Sequence, residues 1–88
     1  MRFRWNDWNL EHVTAHGVTP AEAESVVLLA GKTQRFRRGD DKWAVWGRGV
    51  GGRLLQVVVL FEANDTVYII HARPLNEREK GILRRRLR

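Results

Sequence analysis

The longest apolar signal in the chain lies between Arg53 and Arg73. Two runs rich in Val, Ile, Leu, Phe and Tyr, Leu54 to Phe61 and Thr66 to Ala72, flank the polar pair Asn64-Asp65. This pattern predicts two antiparallel strands closed by a tight turn. With Asn64-Asp65 as a two-residue turn, Ala63 lies opposite Thr66, and counting back pairs Phe61 with Tyr68, Val59 with Ile70 and Val57 with Ala72 on one apolar face. The other face then pairs Leu60 with Ile69, Val58 with His71 and Gln56 with Arg73, so it ends in a polar corner. A three-residue loop would shift this register by one.

Upstream, Arg2-Phe3-Arg4-Trp5 alternates basic and aromatic residues and predicts a short first strand with Phe3 and Trp5 inward. Asn6 or Asp7 then caps a helix running toward Ala15, which His16-Gly17 ends. Trp8, His12 and Ala15/His16 fall along one side of that helix. In Val18-Thr19-Pro20-Ala21-Glu22, Thr19 is the cap of a second helix, Pro20 suits its first turn, and Glu22 is the reciprocal acid of a capping box. Ala23, Val26, Val27 and Ala30 face inward, and Gly31 stops the helix. From Lys32 the period becomes two. Lys32 to Arg38 and Lys42 to Arg48 read as a hairpin around Gly39-Asp40-Asp41, and Gly49 to Gly52 turn into the central strand. After Pro74, Asn76 and Glu79 form another cap pair, with Ile82, Leu83 and Leu87 as the inner stripe of a last helix. Glu77 and Glu79 in its first turn and Arg84 to Arg88 in its last complement the helix dipole. The expected order is β-α-α-β-β-β-β-α. It describes a single α+β domain over residues 1–88, with an antiparallel sheet, two N-terminal helices and a C-terminal helix, the helices gathered on one face.

Composition narrows the function. Hydrophobic residues at 43% and charged ones at 30% exclude a disordered or membrane-embedded chain. No apolar run approaches the ~20 residues of a membrane helix and no signal-peptide core is seen, so no membrane association and a cytoplasmic location are expected. The absence of cysteine excludes disulfides, thiolate-ligated zinc and cysteine nucleophiles. His12 and His16 are four apart, but no acid follows His12 in the H-E-x-x-H manner and no third ligand is evident. Helix-end and packing roles account for them, and neither metal nor cofactor is expected. Gly47 to Gly52 matches G-x-G-x-x-G, yet a strand follows instead of a helix, so the stretch reads as a hairpin loop.

A net charge of +6 and a sequence pI near 11.1 point to a polyanionic partner, nucleic acid or an acidic protein. Arg35, Arg37, Arg38 and Lys42 flank one hairpin, and Arg84, Arg85, Arg86 and Arg88 end the chain. Either group suits phosphate, and either suits a solvated face. Trp43 and Trp46 have opposite parity on one strand, so at most one is fully inside, and the other is free for core-rim packing or for stacking on a base. His71 and Arg73 project together with Gln56 opposite. RNA cleavage needs a base, an acid and cations around the charged phosphorus. His71 suits acid or base, with Arg73 and either Arg53 or Lys42 as clamps. On spacing alone, a strand-end histidine bonded to a backbone group is the simpler account.

Several short motifs also occur in a telling order: Phe3-x-Trp5 before the first helix, His16-Gly17-Val18-Thr19 with Glu22-Ala23, Trp46-Gly47-Arg48 leading to Gly52-Arg53-Leu54-Leu55, and Ile69-Ile70-His71-Ala72-Arg73 followed by Glu79. Over nearly its whole length the chain thereby resembles the BrnT family of toxins. The resemblance implies a RelE-like fold, a ribonuclease that cleaves mRNA and arrests translation, and neutralisation by a cognate antitoxin that also binds operator DNA. Arg53, Arg73 and Glu79 match the family's basic and acidic positions, and His16 its His-Gly corner. The chain departs from the family at Ala15, where members have lysine, at His71, where they have serine, and in the Trp5 to Asn9 segment, which is one residue shorter. The expected activity is a metal-independent endoribonuclease in which Arg53 and Arg73 hold phosphate and His71 or Glu79 moves the proton. The alternative is a non-enzymatic module of the same fold that binds RNA or an acidic protein.

Overall fold

The computed structural model describes residues Met1–Arg88. Its elements are β1 (Arg2–Arg4), α1 (Asp7–Thr14), α2 (Pro20–Leu29), a 3-10 turn (Lys32–Gln34), β2 (Arg35–Arg37), β3 (Lys42–Arg48), β4 (Leu54–Glu62), β5 (Thr66–Pro74) and α3 (Glu77–Arg86). The expected order of strands and helices holds, except that the 3-10 turn replaces the start of the first hairpin strand. Gln34 explains the replacement. Its side chain accepts from the Gly31 N–H and donates to the Trp46 carbonyl, which folds the segment into a turn before it can pair.

Each helix starts where a short polar side chain takes an N–H that the first turn leaves free. Asn6, Thr19 and Asn76 each accept from the backbone three residues on, and Asn9, Glu22 and Glu79 reach back to the cap residue, so all three helices open on a capping box. Such a cap contributes about 1 kcal/mol. Gly17, at φ +75°, then turns the chain away from α1 in a conformation that a residue with a Cβ resists.

The strands form one sheet in the order β1-β5-β4-β3-β2. β2 to β5 pair antiparallel in succession, but β1 runs parallel to β5, so the sheet is mixed and not antiparallel. A tight turn forces neighbouring strands antiparallel. β1 and β5 lie at opposite ends of the chain, and nothing local sets their relative sense.

The β4–β5 register differs from the expected one in two compensating ways. Glu62 faces Thr66, so the loop is three residues, with Asn64 and Asp65 both at positive φ. A bulge between Val58 and Val59 on the β4 side then leaves Ile70 as an extra residue on β5 and restores the pairs Val58–His71, Val57–Ala72 and Gln56–Arg73. Nearer the turn, Val59 faces Ile69 instead of Ile70, and Phe61 faces Val67 instead of Tyr68. Val67 and Ile69 accordingly join Ala72 in the larger core cluster, where Tyr68 and Ile70 were expected.

Two apolar clusters lie on opposite faces of the sheet. Val13 of α1 and Ala23, Val26 and Val27 of α2 pack on Val45, Leu55, Val57, Val59, Val67, Ile69 and Ala72. Trp46 has the opposite parity to Val45 and meets Leu75 and Leu83, with Phe36, Leu54 and Ile82 around them. α3 therefore covers part of the reverse face, and the helices flank both faces instead of one. Leu87, 55% exposed, is not part of its inner stripe. Trp46 is the inner tryptophan of β3, donating from Nε1 to Gln56 Oε1 at 2.9 Å, while Trp43 sits half-buried at the rim of the first cluster. No helix is long and apolar enough to cross a membrane.

Candidate functional site

The site begins with a gap in the sheet. β1 stops at Arg4, opposite Tyr68, so the outer edge of β5 beyond that point has no strand partner. α1 takes the place of one. Asn9, fully buried, donates from its amide to the Ile69 carbonyl at 2.8 Å and the Arg4 carbonyl at 3.0 Å, while its Oδ1 accepts from the Asn6 N–H. One turn later Val13 enters the core. The neighbouring stripe of α1, Trp8 and His12, stands over the reverse face of the sheet beside the part α3 leaves uncovered.

Between that stripe and the β2–β3 hairpin lies a groove of about 540 Å³. Gln56, Val58 and Ile70 line it from the sheet, Trp8 and His12 from α1, and Arg38 and Lys42 from the hairpin, with His71 beside them. The bulge at Ile70 brings both Ile70 and His71 to this face. Neither Arg38 nor Lys42 is paired with a carboxylate.

Three imidazoles gather at one side of the groove. The His71 ring meets that of His16 edge-on, with centroids 5.2 Å apart. No hydrogen bond ties His71 to the backbone, so the simpler account of a strand-end histidine is not met. Burial pushes the His71 pKa down, and the positive surroundings of His16, Arg73 and His12 push it further in the same direction. His12 is oriented by its own helix: Nδ1 lies 2.7 Å from the Trp8 carbonyl oxygen. A carbonyl only accepts, so Nδ1 carries the hydrogen and Nε2 is the nitrogen left for other partners. The His12 ring also stacks on the Trp8 indole, 3.8 Å between centroids at 20°. These histidines form no group of three side chains suited to a metal ion.

The remaining expected residues are distributed differently. Arg73 grips Glu79 through two bonds of 2.8 and 2.7 Å, and the Asn76 N–H adds a third at 2.9 Å. The Arg73 guanidinium, helped by that N–H, holds the Glu79 carboxyl at about 2, which makes Glu79 a permanent anion and a poor proton carrier. Arg53 grips Glu22 in the same way, at 2.9 and 3.2 Å, and also donates to the Gly17 carbonyl. Arg73 thus joins β5, and Arg53 the residues just before β4, to the capping-box glutamate of a helix. Arg73 adjoins the groove on the same face as His71. Arg53 does not; it lies with Arg48, Lys80 and Arg84 around a separate hollow of about 290 Å³. Arg35 and Arg37 share the parity of Val45, pointing away from the groove, and donate to the carbonyls of Ala30 and of Gly39 and Asp40. Arg86 covers the Phe36 ring at 4.5 Å, and Arg85 is exposed on α3.

His71, Arg38 and Lys42 are therefore brought together, joined by two groove residues that sequence reasoning did not select, Trp8 and His12. Their spacing of four did place them on one side of a helix; what that side would face depended on α1 docking along β5. No protein-family model matches the chain, and no curated protein gives a significant match.

Proposed function

We propose that the chain is a toxin-like, metal-independent endoribonuclease with a RelE-like fold, as its BrnT-like motifs imply, and that it cleaves single-stranded mRNA laid in the groove. The observation that carries this reading is the juxtaposition of His71, free of hydrogen bonds and with a lowered pKa, with the unpaired cations Arg38 and Lys42. Neutral His71 takes the proton of a 2′-hydroxyl, whose oxygen attacks the adjacent phosphorus. The bond from phosphorus to the 5′ oxygen breaks, and that oxygen leaves with a proton donated from His12 Nε2. The products are a 2′,3′-cyclic phosphate and a 5′-hydroxyl. Arg38 and Lys42 hold the charge that builds on the phosphoryl oxygens. Arg73 and Arg53 act by fixing α3 and α2, and a cognate antitoxin would silence the protein by covering the groove. A target in mRNA places the protein in the cytoplasm.

The test is cleavage of end-labelled RNA by purified wild-type protein in chelator, with and without ribosomes, beside His71→Ala. Cleavage that leaves cyclic phosphate ends and falls about 100-fold or more in the variant is expected. A second reading, a binding module of the same fold, is favoured by one observation: Arg53 and Arg73, the basic positions the resemblance would use, are both occupied by glutamates. Intact RNA in every wild-type reaction, with binding retained, makes that reading the better one.

A further inference from the structure

Trp8 is 51% exposed although one face of its indole is covered by the His12 ring at 3.8 Å. The open area therefore belongs to the other face and the edge, and Trp8 lines the groove next to the apolar side chains of Val58 and Ile70. Trp8 belongs to neither apolar cluster of the fold. Trp5, its neighbour on the chain, is placed structurally: its Nε1 donates to Glu24 at 2.8 Å. Trp8 makes no hydrogen bond through its indole. Its backing ring is held instead, because the bond from His12 Nδ1 to the Trp8 carbonyl locks the imidazole parallel to it. A rigid aromatic face over an apolar floor, with two unpaired cations on the opposite wall, has the form of a single-strand site, in which bases stack on aromatic rings while the backbone follows positive charge.

We infer that Trp8, backed by His12, is a stacking platform for one unpaired base of an RNA strand whose phosphates meet Arg38 and Lys42. The inference rests on the groove being the RNA site. It makes Trp8 a positioning residue: a base held on α1 sets which phosphate lies beside His71. It also separates the roles of Trp8 and the hairpin cations, since an indole contacts only the base and Arg38 and Lys42 only the backbone.

The experiment compares two probes of equal length and charge that the protein cannot cleave, a 2′-O-methyl-uridine octamer and an abasic octamer. Binding to wild type, Trp8→Ala and Trp8→Leu is followed by anisotropy, with circular dichroism to confirm folding. The base-bearing probe is expected to bind wild type roughly 10-fold or more tighter than the abasic one, and both variants are expected to erase that advantage while keeping abasic binding. In wild-type protein labelled with 5-fluorotryptophan, the fluorine resonance of Trp8 should shift with the uridine probe and stay in place with the abasic one, a readout that needs no variant. Equal affinity for the two probes, unchanged at Trp8, overturns the platform and leaves the phosphate site standing. Failure of wild type to bind either probe overturns both the platform and the RNA reading on which it rests.

Discussion

Glu79 accepts two hydrogen bonds from Arg73 and one from the Asn76 N–H, and it is buried, so its charge is worth most to the folded state. Its pKa falls from an ordinary 4.5 to about 2 on folding. A carboxyl depressed in this way stabilises the fold fully above its unfolded pKa and loses that contribution as pH falls through the folded one. Glu79→Gln keeps an acceptor for the cap and removes only the charge. The variant is therefore expected to be less stable than wild type by on the order of 2 kcal/mol at pH 7, after allowance for solvent screening, with the gap closing between about pH 4.5 and 2. Urea unfolding of both chains along that pH range measures it; a gap independent of pH would show that the ion pair contributes nothing. The capping role of Glu79 was legible in the sequence because the signal spans only Asn76 to Glu79. Its arginine was not, because the partner of a buried acid is chosen by the strand that packs beside it.

At the scale of elements, the groove depends on α1 standing in for a strand along β5. Asn9 is the joint, since its one amide serves the carbonyls of Arg4 and Ile69 and its oxygen serves the Asn6 N–H. Asn9→Leu is nearly equal in size but takes the side-chain partner from three backbone groups, of which the Ile69 carbonyl is buried. It should destabilise the protein by on the order of 2–3 kcal/mol in urea unfolding, whereas a loss below about 0.5 kcal/mol would mean that packing alone docks the helix. The helix starts, the hairpins and the apolar stripe of α2 could be read from sequence because each is a local pattern. The His71–Gln56–Arg73 corner was reached through two offsetting features, a three-residue loop and the bulge at Ile70, so its placement was legible and the path to it was not. The parallel pairing of β1, and with it the free edge that α1 fills, joins the two ends of the chain and leaves no periodic trace.

Across the whole molecule, charge is uneven in what it is free to do. Of sixteen lysines and arginines, only Arg4, Arg53, Arg73 and Lys80 pair with side-chain carboxylates, and the rest fall into separate regions. Arg38 and Lys42 face the groove, Arg48 and Arg84 face the hollow by Pro74, and the hairpin arginines Arg35 and Arg37 satisfy backbone carbonyls. Net charge of +6 attracts any polyanion, so affinity alone does not say which region holds it. Salt dependence does, because each phosphate neutralised on a single strand adds about 0.7 to the slope of log K against log salt. If RNA lies in the groove, Arg38→Ala/Lys42→Ala lowers that slope by about 1.4 for two lost phosphate contacts, and Arg48→Ala/Arg84→Ala leaves it within experimental error. The reverse pattern would move the strand to the hollow beside α3, away from His71, and the chemistry proposed for that histidine would fall with it. Equal, small losses from both pairs would describe diffuse attraction to a basic surface, which is the behaviour expected of a protein whose groove binds no RNA at all.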